Sequence, residues 1–223
     1  MNTGDDKFET IASDDDNKLI DVMEKGFVIT AWIYGLVIIS NSVFTKLRTD
    51  KKIRAKKMLS YFAKHNDVGM EFVKEGAVVP IGQINGYDYT VFVGKKDSHP
   101  YDKEWNVVKP LGKFNLHIGD DDSFWVAQLN ELELWENGKL SGKDCLTEQV
   151  YYGMDELREV SRAVRIEKER GLYSVSIYGL KKKFPVEGEL GEQSNYGFYF
   201  ELEKVEALTE TADPTTTDFA FYK

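Results

Sequence analysis

The segment GFVITAWIYGLVIISNSVFT, residues 26–45, decides how the rest of the chain is interpreted. It is uncharged throughout and lies between Lys25 and Lys46. A bilayer core about 30 Å thick needs roughly 20 helical residues at about 1.5 Å each. Length and apolar composition therefore predict a transmembrane helix over residues 26–45. The residues predicted to lie in the span are Phe27, Val28, Ile29, Trp32, Ile33, Leu36, Val37, Ile38, Ile39, Val43 and Phe44.

An alternative interpretation of the same segment is a pair of buried strands, FVITAW and LVIISNSVF, joined at residues 33–35. The segment is rich in β-branched residues, and short apolar runs do not by themselves distinguish a buried strand from a helix. A strand usually has about 4–8 residues, so the uninterrupted length favours the helix. The chain is then a single-pass membrane protein.

The charged flanks of the apolar segment support the same prediction. Residues 46–57 contain seven basic side chains and one acid, Asp50, whereas residues 1–25 contain eight acids and three lysines. Basic residues beside a membrane span commonly contact anionic lipid headgroups. The residues predicted to make this contact are Lys46, Arg48, Lys51, Lys52 and Arg54.

Composition limits the classes of partner and of site. The formal net charge of −9 argues against nucleic acid, because binding phosphates requires a basic face. A single cysteine, Cys145, excludes an internal disulfide and a zinc site built from cysteines.

Five segments follow from the charge and hydropathy pattern. They are an acidic tail (1–25), the transmembrane helix (26–45), a basic amphipathic helix (46–66), an α+β domain (67–208) and a C-terminal tail (209–223). In the domain, apolar and polar residues alternate in runs bounded by turn signals such as Asn-Gly, which predicts a mostly antiparallel set of strands. These runs are 77–84, 87–94, 114–118, 124–135, 172–180, 184–190 and 196–208.

A second helix is predicted over residues 154–170. Leu157, Val160 and Val164 recur at helical spacing, and Gly171 is a suitable C-terminal stop. The order of elements then suggests a duplicated helix-plus-three-strands unit, with halves 52–138 and 150–208. One larger sheet with helices to one side is the alternative.

Residue types with catalytic or metal-binding chemistry form no recognisable constellation. The three histidines, His65, His99 and His117, lack metal-ligand spacing, and the three aspartates at 120–122 lack the pattern of a calcium loop. The GxSxG, GxGxxG and GxxxxGK[ST] motifs are absent. The sequence therefore predicts no catalytic, cofactor-binding or metal-binding residue, no cofactor, no small-molecule substrate and no enzymatic activity.

Several features together resemble a known family. They are the uncharged span, the helix ending AKHNDV (63–68), GAVVPIG (76–82), and the pair GKFNLHI (112–118) and FWVAQLNELELWENG (124–138). This order resembles small single-span proteins of the mitochondrial inner membrane related to the cytochrome oxidase assembly factor and to the regulatory subunit of the presequence translocase. The resemblance implies an anchored α+β domain that docks on other membrane complexes, with no catalytic residues. Residues 139–223 extend beyond the usual domain of that family.

The sequence thus predicts a non-catalytic, membrane-anchored binding or scaffold subunit, in the respiratory chain or its assembly or import machinery. Its expected partners are other membrane-complex subunits and the lipid bilayer. Phe219, Phe221 and Tyr222 follow a polar, proline-containing stretch and are predicted to bind a neighbouring subunit, with docking on their own domain as the alternative. The alternative function is a soluble acidic binding protein, such as the immunity protein of a bacterial toxin, in which residues 26–45 are part of the core.

Overall fold

The computed structural model describes residues 26–32, 35–95, 98–133, 135–136, 138–152, 156–188 and 194–222. Over these residues the chain forms two five-stranded sheets and several short helices. The strands are β1 (Phe27–Thr30), β2 (Gly35–Ile39), β3 (Val78–Gly82), β4 (Asp88–Lys95), β5 (Trp105–Ile118), β6 (Ser123–Gln128), β7 (Cys145–Tyr152), β8 (Glu156–Glu167), β9 (Gly171–Lys182) and β10 (Tyr196–Val205). The helices are α1 (Asn41–Asp50), α2 (Met58–Lys64), α3 (Asn66–Lys74) and α4 (Asn130–Glu133).

Sheet A has the strand order β1-β4-β10-β9-β5, and sheet B has the order β3-β2-β6-β8-β7. Neighbouring strands pair antiparallel, except that β4 and β10 pair parallel. The main core lies between the sheets, where side chains at alternate positions of both sheets meet. Fully buried examples are Val91 and Phe198 from sheet A, and Leu36 and Ile38 from sheet B.

A second core lies on the opposite face of sheet B, which the helices cover. Val37 and Trp125 project from the sheet toward Phe44 of α1 and Phe72 of α3. The ring of Phe44 lies 5.1 Å from that of Phe72 and 4.4 Å from that of Trp135. The strands β2 and β6 are consequently buried on both faces, and every residue of each is buried.

This double burial corrects the prediction of a transmembrane helix. Residues 26–45 form β1, β2 and the first turn of α1, which is close to the alternative of two buried strands. In the part of the chain that the structure describes, no helix is long and apolar enough to cross a membrane. The predicted single-pass location, in the mitochondrial inner membrane, is therefore wrong. A strand covered on both faces is apolar at every position, so its sequence mimics a span.

The individual span residues are divided among these elements. Leu36, Val37, Ile38 and Ile39 are buried in β2, and Val43 and Phe44 are buried in α1. In and after β1, Ile29 is buried, Phe27 is half-buried, and Val28 and Trp32 are exposed at 50% and 36%. Ile33 lies outside the described residues, as does the acidic tail 1–25.

The predicted basic helix over residues 46–66 is also wrong. Helix α1 ends at Asp50, residues 51–57 are not helical, and α2 and α3 follow as separate short helices. Lys52 adopts φ of 55°, the left-handed conformation that ends many helices. Asn66, the predicted end of this helix, instead begins α3, and Asp67 in the first turn suits the positive end of the helix dipole.

The predicted helix over 154–170 is a strand. In the structure β8 pairs with β6 on one side and with β7, which the sequence did not predict, on the other. Strands from both halves alternate in the sheets, because β4 pairs with β10, β5 with β9 and β6 with β8. The duplicated helix-plus-three-strands unit is therefore wrong, although the structure is α+β with mostly antiparallel sheets.

Candidate interaction surfaces

The C-terminal tail lies on this protein's own domain. The Ala212 N–H donates to the Lys113 carbonyl at 3.0 Å, and the Asn115 side-chain amide donates to the Thr209 carbonyl at 3.0 Å. These hydrogen bonds hold the tail along β5, one of the two edge strands of sheet A. The end of the tail then turns into the space between the sheets.

Phe219 and Phe221 complete the core rather than remain on the surface. Both are buried, and the Phe221 ring lies 5.3 Å from that of Phe198. Gly179 of β9 provides the space, since a Cβ there would lie 2.4 Å from Cγ of Phe221. Two of the three residues predicted to bind a partner thus dock on their own domain, which is the alternative stated above.

Tyr222, the third of these residues, is half-buried in a cluster of tyrosines at one end of the sandwich. The rings of Tyr87 and Tyr196 stack at 5.6 Å, and Tyr222 meets them edge-on at 5.9 and 5.5 Å. The Asn85 N–H donates to the Tyr222 hydroxyl at 2.6 Å, and burial raises the pKa of that hydroxyl. The rings contact one another, so the cluster closes the end of the core.

A more exposed apolar surface lies on the β7–β8 hairpin, residues 145–167. Strand β6 pairs with residues 163–167 of β8. Among the described strands, residues 156–162 of β8 pair with β7 alone, so this part of the hairpin extends past β6. On this projecting part Tyr151 is directly opposite Leu157. Opposed residues of an antiparallel pair share a face, and here their exposures are 75% and 49%.

The other face of the hairpin holds it to the domain. Val150 and Val160 are buried there, next to Glu148 and Arg158 in the register. At the base, Arg162 donates from Nε to Oε1 of Glu131 at 2.9 Å and pairs with Glu148 at 3.3 Å. Lys139 pairs with the same Glu131, which is almost fully buried. Because both oxygens of this carboxylate face cations, it anchors the hairpin rather than offering a reactive group.

The basic residues predicted to contact lipid headgroups lie along the end of α1 and the segment after it. Lys46, Lys51, Lys52 and Arg54 are exposed. Arg48 donates to the Ala55 carbonyl at 2.8 Å and so shapes the turn. Acids compensate part of the charge, because Lys51 pairs with Glu71 and Lys57 with Glu133. This surface is therefore mixed in charge.

Several cavities open on the surface of the described residues. One of about 410 Å³ lies at the start of α1 and includes the buried Ser123, whose hydroxyl has no partner among the described residues. The charged residues that line it are two acids and two bases, Asp121, Asp144, Lys143 and Arg165, and Arg165 pairs with Asp144 at 3.7 Å. In the ranges that the structure describes, no three acidic, histidine or cysteine side chains are grouped as a metal site would require. Cys145 is exposed.

The hairpin surface was missed by sequence reasoning. Leu157 was assigned to the inward face of a helix, and Tyr151 was assigned to no element. No family model matches the chain, and no similar curated protein or solved structure was found. The resemblance to the mitochondrial family gains no support from these comparisons.

Proposed function

We propose that this chain is a non-catalytic binding protein that recognises a basic protein partner through the β7–β8 hairpin. The observation that carries the proposal is the pair Tyr151 and Leu157, exposed side by side on a hairpin that extends past its sheet. Exposed aromatic and aliphatic anchors dominate the energetics of protein interfaces. Exposed apolar residues that share one face are candidate members of an interaction patch.

The negative net charge of the chain supports a basic partner. The chain carries a formal net charge of −9, and residues 145–162 carry four acids and two arginines. Glu148 pairs with Arg162 at 3.3 Å, whereas Glu159 is exposed and accepts a hydrogen bond from the Thr147 hydroxyl at 2.9 Å. An acidic protein attracts and orients a basic partner over several ångströms, which raises the association rate. An inhibitor that neutralises a basic toxin is one protein of this class.

The proposal is tested by site-specific photo-crosslinking. The full chain is expressed in cells of the organism from which it comes, with p-benzoylphenylalanine at position 151. A second variant with p-benzoylphenylalanine at position 184 is the control. Phe184 is 84% exposed and lies outside the hairpin, so it measures background capture. The protein captured at 151 is identified, purified and titrated by calorimetry against the wild-type chain.

The double variant Tyr151→Ala, Leu157→Ala should weaken binding of that purified protein by at least about tenfold, roughly 1.4 kcal/mol. Phe184→Ala should leave the affinity unchanged, and the partner should carry net positive charge. Equal capture at the two positions, an acidic partner, or full affinity of the double variant would each remove the proposal.

A further inference from the structure

Strand β7 is one of the two edges of sheet B, and β3 is the other. In sheet A, β1 lies against β8, and the C-terminal tail covers part of β5. Gly76, two residues before β3, is held to β5, since His117 N–H donates to the Gly76 carbonyl at 2.9 Å. On the outer side of β7, no hydrogen bond is made by any residue in the described ranges.

The sequence of β7, CLTEQVYY, lacks the features that usually block such an edge. It has no lysine and no proline, and Glu148 is its one charged residue. Over the eight residues of β7, alternate backbone groups point away from β8. An edge strand with unpaired backbone groups is a template for another strand.

We infer that β7 accepts an extended strand of the basic partner by backbone pairing, so that sheet B gains a sixth strand. This inference rests on the proposed function and specifies how the partner binds. Strand addition derives its affinity from main-chain hydrogen bonds and its specificity from alternate side chains. The hairpin presents both kinds of recognition.

The two faces of β7 define the side chains of the added strand. One face carries Thr147, Gln149 and Tyr151, with Glu159 opposite Gln149. A lysine of the partner opposite Gln149 lies two strand spacings, about 10 Å, from Glu159 and can extend across β7 toward its exposed carboxylate. The other face carries Glu148, which pairs with Arg162, and the buried Val150, beside which an apolar residue extends the covered surface. The partner strand therefore alternates basic and apolar residues.

A second copy of this chain fits this edge less well. Strand β7 itself contains no basic residue, so two copies paired through β7 would bring Glu148 of each together without a compensating charge in the strand. Like charges on neighbouring strands are destabilising. Charge thus favours a foreign basic strand over self-association.

Two synthetic peptides test the inference with the full chain. Acetyl-KVKVKVK-amide has the expected alternation, and acetyl-EVEVEVE-amide has the same alternation with opposite charge. Backbone amide NMR spectra of the 15N-labelled chain are recorded during titration with each peptide. The lysine peptide should shift amides of residues 145–152 and their β8 partners, and should bind at least tenfold more tightly than the glutamate peptide.

Two variants separate backbone pairing from charge. Gln149→Pro alters the backbone of β7 and should abolish the shifts, with its own spectrum showing whether the remaining domain keeps its fold. Glu159→Lys leaves the backbone unchanged and should reverse the preference between the two peptides. Shifts centred outside β7, equal binding of the peptides, or self-association through β7 in sedimentation equilibrium would overturn the inference.

The partner captured in the preceding experiment distinguishes the two proposals. If it binds Gln149→Pro as tightly as wild type but not the Tyr151 and Leu157 double variant, strand addition fails and the binding function stands. If the lysine peptide pairs with β7 but no basic protein is captured at position 151, the proposed function fails instead.

Discussion

The contribution of the C-terminal tail to stability can be measured with one pair of phenylalanines. Phe221 is 5% exposed, lies against Gly179, and contacts the rings of Phe198 at 5.3 Å and Tyr196 at 6.1 Å. Removal of a buried phenylalanine ring costs about 3–5 kcal/mol, because transfer free energy is lost and a cavity remains. For a chain of this size each kcal/mol lowers the melting temperature by about 2–4 °C. Phe221→Ala should therefore melt roughly 6–20 °C below wild type.

Phe184→Ala is the matched control, since it removes the same atoms at a site that is 84% exposed. Its free energy of unfolding should stay within about 0.5 kcal/mol of wild type. Urea unfolding followed by tryptophan fluorescence and by circular dichroism measures both variants. If both substitutions change the free energy of unfolding by the same small amount, the tail does not complete the core. The tail would then again be a candidate segment for binding a partner.

Three further outcomes follow from the packing. Burial raises the pKa of Tyr89 above its ordinary value near 10, so stability that is full below about pH 10 should decline as the pH rises from there toward that higher pKa, which urea unfolding between pH 8 and 11 checks. Glu131→Ala leaves Arg162 without its buried partner and should lower the free energy of unfolding by about 3 kcal/mol, measured in the same way. Val37→Arg places a charge in the core and should prevent folding, whereas Val28→Arg, at an exposed position of β1, should give a normal circular dichroism spectrum.

The alternating strands were predictable because their pattern records which face is buried. The run 87–94 corresponds to β4, 172–180 to most of β9, and 196–208 to β10 and the residues after it. In β10, Phe198 and Phe200 face the main core, and Tyr199 faces a smaller aromatic cluster on the outside of sheet A. Such strands keep their period because each face meets a different environment.

The central strands of sheet B were not predictable in the same way. Gly35–Ile39 is apolar at every position, since Leu36 and Ile38 meet sheet A while Val37 and Ile39 meet the helices. The alternation that identifies a strand disappears when both faces are covered. Only the helices that cover the second face account for the composition, and these follow β2 in the chain.

The hairpin was missed for the opposite reason, since its local sequence favours another structure. ELREVSRAVRIE contains strong helix formers, and Val160 and Val164 have helical spacing. In the sheet, Val164 and Ile166 pack toward the main core while Ala163 packs toward the helices. Pairing with β6 and β7 therefore overrides the local preference.

The conflict between helix-forming residues and strand structure in β8 falls on the segment that we propose binds a partner. A strand built from helix formers gains its stability from its neighbours, and before Ala163 the residues 156–162 of β8 pair with β7 alone among the described strands. On this part of the hairpin Tyr151 and Leu157 are exposed, whereas Val150 and Val160 on the other face are buried. Segments whose local sequence preference disagrees with their structure are expected at sites where a partner supplies contacts that the isolated domain lacks. The proposed added strand would supply such contacts to the part of β7 and β8 that extends past the edge of β6.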